Sequence, residues 1–436
     1  MLEAVLKAGH HAGFATVEAF AEKVQRRECD VSVPSPSFHD ARSDRLRLRA
    51  FRDTGDPLGA SLSAPDLRQV RHCFAELASG AALDRKGNFA HELPKAVGKV
   101  KVNIYDAGIE TWDEAQAADV RERIRESLLS FPGLKLRKCL FSRTLRKVYL
   151  ANTRGFFAKY RKTLFQVQAS FMLGECSLEL NECRTHFRDL DPGRLALRGA
   201  NLLGALAAGA ESPAIQGEAI VMSPEASAQV LREFSPWLKR DHAVARGHTA
   251  AAAARVSILD SPLLDGEPGS APFDDEGTAA AENYLVNKGV AVAAAADIRT
   301  AFAIGGTTTG NGFRDERGIF PQVQFSNLFI KPSNDPLVRL LQQARDGVLV
   351  SLVRPKETGG HAGERLFSAY GYTIVNNEVT RPVHFHFATS MRSFMLHIQG
   401  VSRELRFFPG RANIGSPYLL LQGRPTPAGA GKFFLI

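Results

Sequence analysis

The chain has 436 residues, 44% hydrophobic and 23% charged, the balance of a soluble globular protein with length for two or three domains and ample buried core. No apolar run approaches the length of a membrane span. Glu3, Lys7 and the His10-His11 pair break the N-terminal stretch, which argues against a signal peptide and makes the cytoplasm the expected location. The net charge of +9 is local: residues 135 to 162 hold ten Lys or Arg and no acid, so the remainder carries 45 basic against 46 acidic residues, a net of −1.

In chain order, Thr16 to Phe20 and Leu46 to Phe51 read as strands, and Ser61 to Leu77 as a helical pattern. Thr111-Trp112-Asp113-Glu114 is a capping box for a helix whose apolar face is Val120, Ile124, Leu128 and Leu129, ending at Pro132-Gly133. The basic segment that follows is a hairpin over residues 135 to 173. Val148 and Leu150 precede a turn at Asn152 to Gly155, and Phe165, Val167, Ala169 and Phe171 then alternate with polar residues. Its Lys and Arg side chains are expected on the solvent face, guarding a sheet edge, ahead of any role in binding nucleic acid. A small-residue helix, Leu195 to Ala208, comes next.

The second half opens with a short strand at Glu218 to Met222 and a helix that Ser223 caps, with Pro224 in its first turn. Residues 241 to 281 are loop-rich, and mostly strands follow Tyr284. A helix from Asp335-Pro336 to Arg345, stopped at Gly347, interrupts them. Tyr370 to Val375 and Val379 to Phe387 form a hairpin around Asn376-Asn377-Glu378. The expected class is α+β. An N-terminal mixed α/β region with antiparallel hairpins (residues 1–212) precedes a strand-rich C-terminal domain (213–436), barrel-like or sandwich-like.

Chemistry-bearing residues are sparse. Cys29, Cys73, Cys139, Cys176 and Cys183 are widely spaced with no Cys-x-x-Cys pair, as for reduced thiols in an intracellular protein. Asp274, Asp275 and Glu276 within Phe273 to Gly277 offer oxygen donors to a hard cation, but their spacing alone fits a solvated acidic turn. His384 and His386 lie two apart on a strand, so both rings face one side as candidate metal ligands. Asp241, His242, His248 and His361 lie in loops. Gly305-Gly306 and Gly310-Asn311-Gly312 lack the Lys-Ser/Thr ending of a phosphate loop.

The order of the blocks is informative as a set. Arg47 to Phe51, Gly59 to Leu62, Asn152 to Gly155, Ser223-Pro224, Phe273 to Gly277, Thr309 to Gly312, Asn327 to Pro332 and the Tyr372 to Val383 hairpin together resemble the TldD/PmbA family. That family pairs a zinc peptidase subunit, TldD, with a related subunit, TldE or PmbA. Its peptidase subunits carry His-Glu-x-x-x-His on the helix after the short strand and complete the site with a C-terminal cysteine. In the matching stretch here, Leu231 to Trp237, Arg232 and Trp237 stand where the histidines would be. Only Glu233 remains, and no cysteine follows Cys183.

A guanidinium and an indole are not zinc ligands, and Pro236 interrupts the helix. The resemblance therefore implies the TldE/PmbA-like, non-catalytic subunit of a heterodimeric peptidase for unfolded or modified peptides. Zinc is expected in the partner and no cofactor in this chain. Arg143, Arg146, Lys147, Arg154 and Lys159 become candidate contacts to peptide or partner, and the acidic run a turn whose carboxylates accept backbone hydrogen bonds. Two other readings are a self-sufficient metal-dependent hydrolase built on His384 and His386, and a nucleic-acid-associated regulator using the basic hairpin.

Overall fold

A computed structural model describes residues 1–80, 87–98, 100–111, 114–207, 219–239, 252–356 and 363–422. The expected boundary at residues 212/213, the loop residues Asp241, His242, His248 and His361, and Trp112 and Asp113 of the capping box lie outside them.

The N-terminal half is one antiparallel sheet with helices on one face. Its strands are β1 (Thr16–Asp30), β2 (Phe38–Phe51), β3 (Leu58–Ser63), β4 (Lys135–Asn152), β5 (Phe157–Leu173) and β6 (Cys176–Arg184), ordered β3-β2-β1-β4-β5-β6. The helices are α1 (Leu2–His11), α2 (Leu67–Ser79), α3 (Glu114–Leu128) and α4 (Pro192–Leu206). Alternation along the strands divides the labour between the two faces. Val17, Ala19 and Ala21 of β1 and Leu46, Leu48 and Ala50 of β2 pack under α1 and α2, while Cys29, Phe141 and Val167 pack under α3 and α4.

Two expectations about this half are corrected. Residues Ser61 to Ser63 belong to β3, and the helix begins only at Leu67, where Asp66 and Gln69 form a reciprocal capping box. The basic hairpin β4-β5 lies inside the sheet, whose outer strands are β3 and β6, so it guards no edge where β6 pairs with it.

The C-terminal half contains β7 (Ala219–Met222), α5 (Pro224–Phe234), β8 (Ile258–Asp260), β9 (Asn283–Asn287), β10 (Val290–Ala291), α6 (Ile298–Phe302), β11 (Gly312–Phe313), β12 (Gln322–Val323) and β13 (Asn327–Ile330). It continues with α7 (Leu337–Ala344), β14 (Gly347–Pro355), β15 (Glu364–Val375), β16 (Glu378–Ser390), α8 (Met391–Leu396), β17 (Ile398–Val401), β18 (Arg406–Phe408), β19 (Asn413–Ser416) and β20 (Leu419–Gln422). Two open six-stranded sheets result, β10-β9-β8-β13-β19-β18 and β16-β15-β14-β7-β20-β17, with parallel pairs β13/β19 and β14/β7. They are sandwich-like and do not close into a barrel. Their shared core includes Val230, Leu231 and Phe234 of α5 with Leu328, Ile414, Val348 and Phe385 from the two sheets.

Local chemistry sets the element ends. Ser223 Oγ accepts from Ala226 N at 3.2 Å and starts α5; Pro236 follows its end, and Ser235 to Leu238 tighten into a 3₁₀ turn. The stop of α7 differs from expectation. The residue with positive φ is Arg345 (φ 48°), and Gly347 already opens β14.

Asn376 and Asn377, at φ 49° and 70°, make the two-residue turn joining β15 to β16, the backbone a right-twisted hairpin requires. We therefore expect Asn377→Gly to leave stability unchanged, whereas Asn377→Val costs about 1–2 kcal/mol through the left-handed backbone. A lower urea midpoint for the valine variant only would bear this out.

Candidate functional site at the interface of the two halves

The even-numbered residues at the start of β1 face the C-terminal half, and the acids among them there are Glu18 and Glu22. Register places Arg49 opposite Glu18, and Arg47 opposite Phe20, between the two acids. Arg49 Nε donates to Glu18 Oε1 (2.9 Å) and its Nη1 crosses to Glu276 Oε1 of the acidic run (2.7 Å). From the C-terminal half, Arg314 Nη2 reaches back to Glu18 Oε1 (2.6 Å). Arg47 Nη1 donates to Glu22 Oε2 (3.0 Å), and Arg146 Nε donates to Glu22 Oε1. Glu18, Arg49 and Glu276 are each at most 2% exposed.

The acidic run is thus buried, which corrects the reading of a solvated turn; its acids accept backbone hydrogen bonds as the family resemblance implied. Asp274 Oδ1 accepts from the backbone N of Glu276 (3.0 Å) and Thr278 (2.9 Å), and its Oδ2 accepts from Gly312 N (2.9 Å). Asp275 Oδ2 accepts from Arg314 N (2.8 Å), and Glu276 Oε2 from Ile298 N (2.7 Å). Gly277 closes the turn at φ 89°, where a Cβ would lie 2.7 Å from the Phe156 ring. A Cβ on Gly312 would meet Glu276 Oε2 at 2.3 Å. Asn327 is equally committed: its Oδ1 accepts from Gly269 N and Asn413 Nδ2, while its Nδ2 donates to Ser261 O and Ser270 Oγ.

Burial opposes ionisation throughout, and the partners decide the outcome. For Glu18, burial raises the pKa, but Arg49 and Arg314 outweigh it and hold the carboxyl below its usual range. Burial keeps Asp275 and Glu276 raised despite their arginines, and it raises Asp274 further with help from Glu276. Asp260, buried under Asn311 and Ser326, is pushed up to about 6 by burial.

Beside this network a cavity of about 470 Å³ opens between Arg146, Lys162, Gln166, Asn181 and Cys183 on the N-terminal sheet and Asp275, Ser326 and residues 409–413 opposite. Lys162 Nζ donates to Ser270 O at 2.8 Å and to Pro268 O. Burial, then repulsion from Arg146, push it down to about 7, while burial pushes the Cys183 thiol up to about 12. Asp275 and Asn413 are part of the cleft lining, and Asp275 Oδ1, itself buried, faces the Arg146 guanidinium at 3.7 Å.

The residues singled out from sequence do not form one site. Arg143 and Lys147 lie on the helix-bearing face of the sheet, and Arg146 faces the interface. Arg154 Nη1 donates to Ala90 O (2.8 Å), and Lys159 lines a separate cavity with Val97, Gly98 and residues 100–105. Two of the ten basic residues of the segment, Arg146 and Lys162, thus leave the expected solvent face, because a domain covers that side. His384 stacks on Tyr370 (centroids 4.3 Å apart) beside His386, whose Nε2 is 3.1 Å from Lys356 Nζ. Among the described residues, no three His, Cys, Asp or Glu side chains come together as a metal site.

Residues 217–424 match the profile of the PmbA/TldA metallopeptidase C-terminal domain. The C-terminal half of the chain belongs to the TldD/PmbA family. A metalloprotease of Archaeoglobus fulgidus is 35% identical over 156 residues, 36% of this chain and 36% of that protein, so the match spans about a third of the relative. An uncharacterized protein of Methanocaldococcus jannaschii is 28% identical over 77% of this chain and 79% of its own length. The crystal structure of TldE from Thermococcus kodakarensis superposes with a TM-score of 0.81 at 16% identity, covering 97% of this chain and 99% of that one, a likeness of fold.

Zinc is the metal this family implies, and α5 does not fit it. Arg232 is half-buried, its Nη1 donating to Gln229 Oε1 (3.0 Å) and its Nη2 to Phe408 O (2.9 Å). Burial lowers its pKa, but a guanidinium offers no lone pair at any pH of interest. Arg232 instead braces the strand end that leads into the 409–413 wall of the cleft. Glu233 accepts from Gln229 Nε2 (3.3 Å), and Trp237, at the 3₁₀ turn, is partly exposed.

Two predictions follow from the electrostatics. Arg49→Met strips Glu276 of its arginine, leaves Glu18 with Arg314 alone, and should cost about 3–5 kcal/mol, measured by urea unfolding; removing the exposed Lys7–Glu3 pair should leave the midpoint unchanged. Lys162 has a folded pKa near 7, below its unfolded value of 10.5, so the unfolded chain binds the extra proton between those pH values. Its contribution to stability therefore rises with pH across that window. The stability of a Lys162→Met variant relative to the parent should fall between pH 7 and 10, and a pH-independent difference would refute this.

Proposed function

We propose that this chain is the TldE/PmbA-like, zinc-free subunit of a heterodimeric TldD-type metallopeptidase, working in the cytoplasm on unfolded or modified peptides. The observation that carries the reading is α5. Its helix stands after the short strand as in the peptidase subunits, but Arg232 and Trp237 occupy the ligand positions, and the Arg232 guanidinium is committed to Gln229 and Phe408 O. Zinc and the attacking water belong to the partner subunit in this reading. The fold shared with TldE is in keeping with it.

This chain contributes peptide selection and shielding. A peptide in extended form presents backbone N–H and C=O groups at regular spacing, and the cleft has the polar side chains of Gln166, Asn181 and Asn413 in its lining. A folded substrate cannot expose its backbone this way, which favours unstructured chains.

Co-expression with a TldD-type homologue bearing His-Glu-x-x-x-His provides the test. The expected result is a stable complex that contains zinc and cleaves an unstructured peptide, with no cleavage after chelation and none by this chain alone. Stoichiometric zinc in the chain purified by itself, or peptide cleavage by it, overturns the assignment. Loss of that metal in a His384→Ala, His386→Ala variant would transfer the chemistry to those histidines.

A further inference from the structure

Strand β5 reaches further than its outer neighbour. Its pairing with β6 starts at Phe165, opposite Arg184, so the stretch from Phe157 to Leu164 has β4 on one side and no strand on the other. The bond from Asn152 N to Phe156 O (3.0 Å) closes the hairpin and puts Ala158, Tyr160 and Lys162 in the hydrogen-bonded pairs with β4. Thr163 N accordingly points away from β4 and donates to Ile104 O at 3.0 Å. By the same alternation the N–H and C=O groups of Phe157 and Lys159 point away from β4. Among the described residues no backbone group meets them there.

A cavity of about 860 Å³ lies along this edge, walled on the far side by Val97, Gly98 and residues 100–105. The Thr163–Ile104 bond closes one end of the groove, and Asn152 Nδ2, donating to Pro94 O (2.9 Å), ties the same segment to the hairpin turn at the other. Lys101 and Lys159 in its lining are exposed, and among the described residues neither makes an ion pair. The acid of the lining is Asp265, whose Oδ1 accepts from Asn103 N at 2.7 Å. Phe157 is 55% exposed. It stands between this groove and a second cavity, whose apolar wall includes Leu2, Leu6 and Ala151.

We propose that the free edge of β5 binds an unstructured peptide as an added strand, its backbone paired to Phe157 and Lys159, with an apolar side chain beside Phe157 and an acidic one facing Lys159 and Lys101. Backbone pairing supplies affinity in such a complex, and alternate side chains supply selection. Side chains opposite each other on neighbouring strands share a face, so the peptide needs its apolar and acidic residues two apart. The lysines argue against a second copy of this chain as the occupant, since two such edges would set cation against cation. The volume is ample for a short peptide stretch. The groove is separate from the interdomain cleft, and binding there does not depend on the peptidase assignment.

The test uses the full-length chain and a fluorescein-labelled peptide of repeated Leu-Ser-Glu-Ser, read by fluorescence anisotropy. That repeat offers apolar and acidic residues two apart in either direction. Saturable binding is expected, and a peptide with Lys in place of Glu should bind about tenfold or more weakly. N-methylation of alternate residues separates strand pairing from charge attraction. One methylated set should abolish binding and the other preserve it: the Leu and Glu set blocks an antiparallel strand, the Ser set a parallel one. The Lys101→Gln, Lys159→Gln double variant should keep the parent's Tm and bind about threefold or more weakly. Absent binding, equal tolerance of both methylated sets, equal binding of the Glu and Lys peptides, or unchanged affinity in the double variant overturns the proposal. Dimerisation of the parent chain that excludes the peptide also overturns it, making this edge an interface between copies.

Discussion

The two halves of this protein are held by charges that neither can neutralise alone. Glu18 meets Arg49 on its own sheet and Arg314 from the other half, and Arg49 in turn holds Glu276. A carboxylate or guanidinium buried without a partner is costly enough to deter folding, so these groups become tolerable only when the halves dock in one orientation. That orientation sets the floor of the interdomain cleft, the position of Asp275, and the loop that Arg232 braces. The apolar cores hold each half together; the ion network aligns them.

The N-terminal sheet consequently works on two sides. One face supplies Glu18, Glu22, Arg47, Arg49, Arg146 and Lys162 to the interface. The other is apolar beneath the helices and polar in the gap between them. A single strand such as β4 feeds both, with Arg146 on one side and Arg143 and Lys147 on the other, because side chains alternate along it. The basic segment that gives the chain its net positive charge is therefore divided between burial and surface.

Local signals proved legible. The Ser223 cap, the break at Pro236, the Asn376-Asn377 turn and the Asn152 to Gly155 hairpin all depend on neighbours within a few residues, and the structure places them as read. The Leu46-Arg47-Leu48-Arg49 alternation marked a strand just as clearly. Yet alternation says only that the arginines lie opposite the leucines, and a solvated face and a face covered by another domain look the same. Asp274, Asp275 and Glu276 were misread on spacing alone for that reason: three acids in a turn suit water unless a distant Arg49 and Arg314 are brought to them. The boundary of α2 and the stop of α7 were missed where strand pairing and a positive φ at Arg345 overrode local propensity.

The sequence alone determined the order of the motif blocks that carries the family resemblance, and the presence of Arg232 and Trp237, whose side chains offer a metal no lone pair. Both are matters of residue identity, which no folding can alter. Only the tertiary structure decided that the acidic run is buried, and that the basic hairpin lies mid-sheet save for a free edge at Phe157 and Lys159. These depend on which distant residues meet, and burial reverses the meaning of a charge: exposed, it is solvated and nearly neutral in effect; enclosed, it dictates its partner.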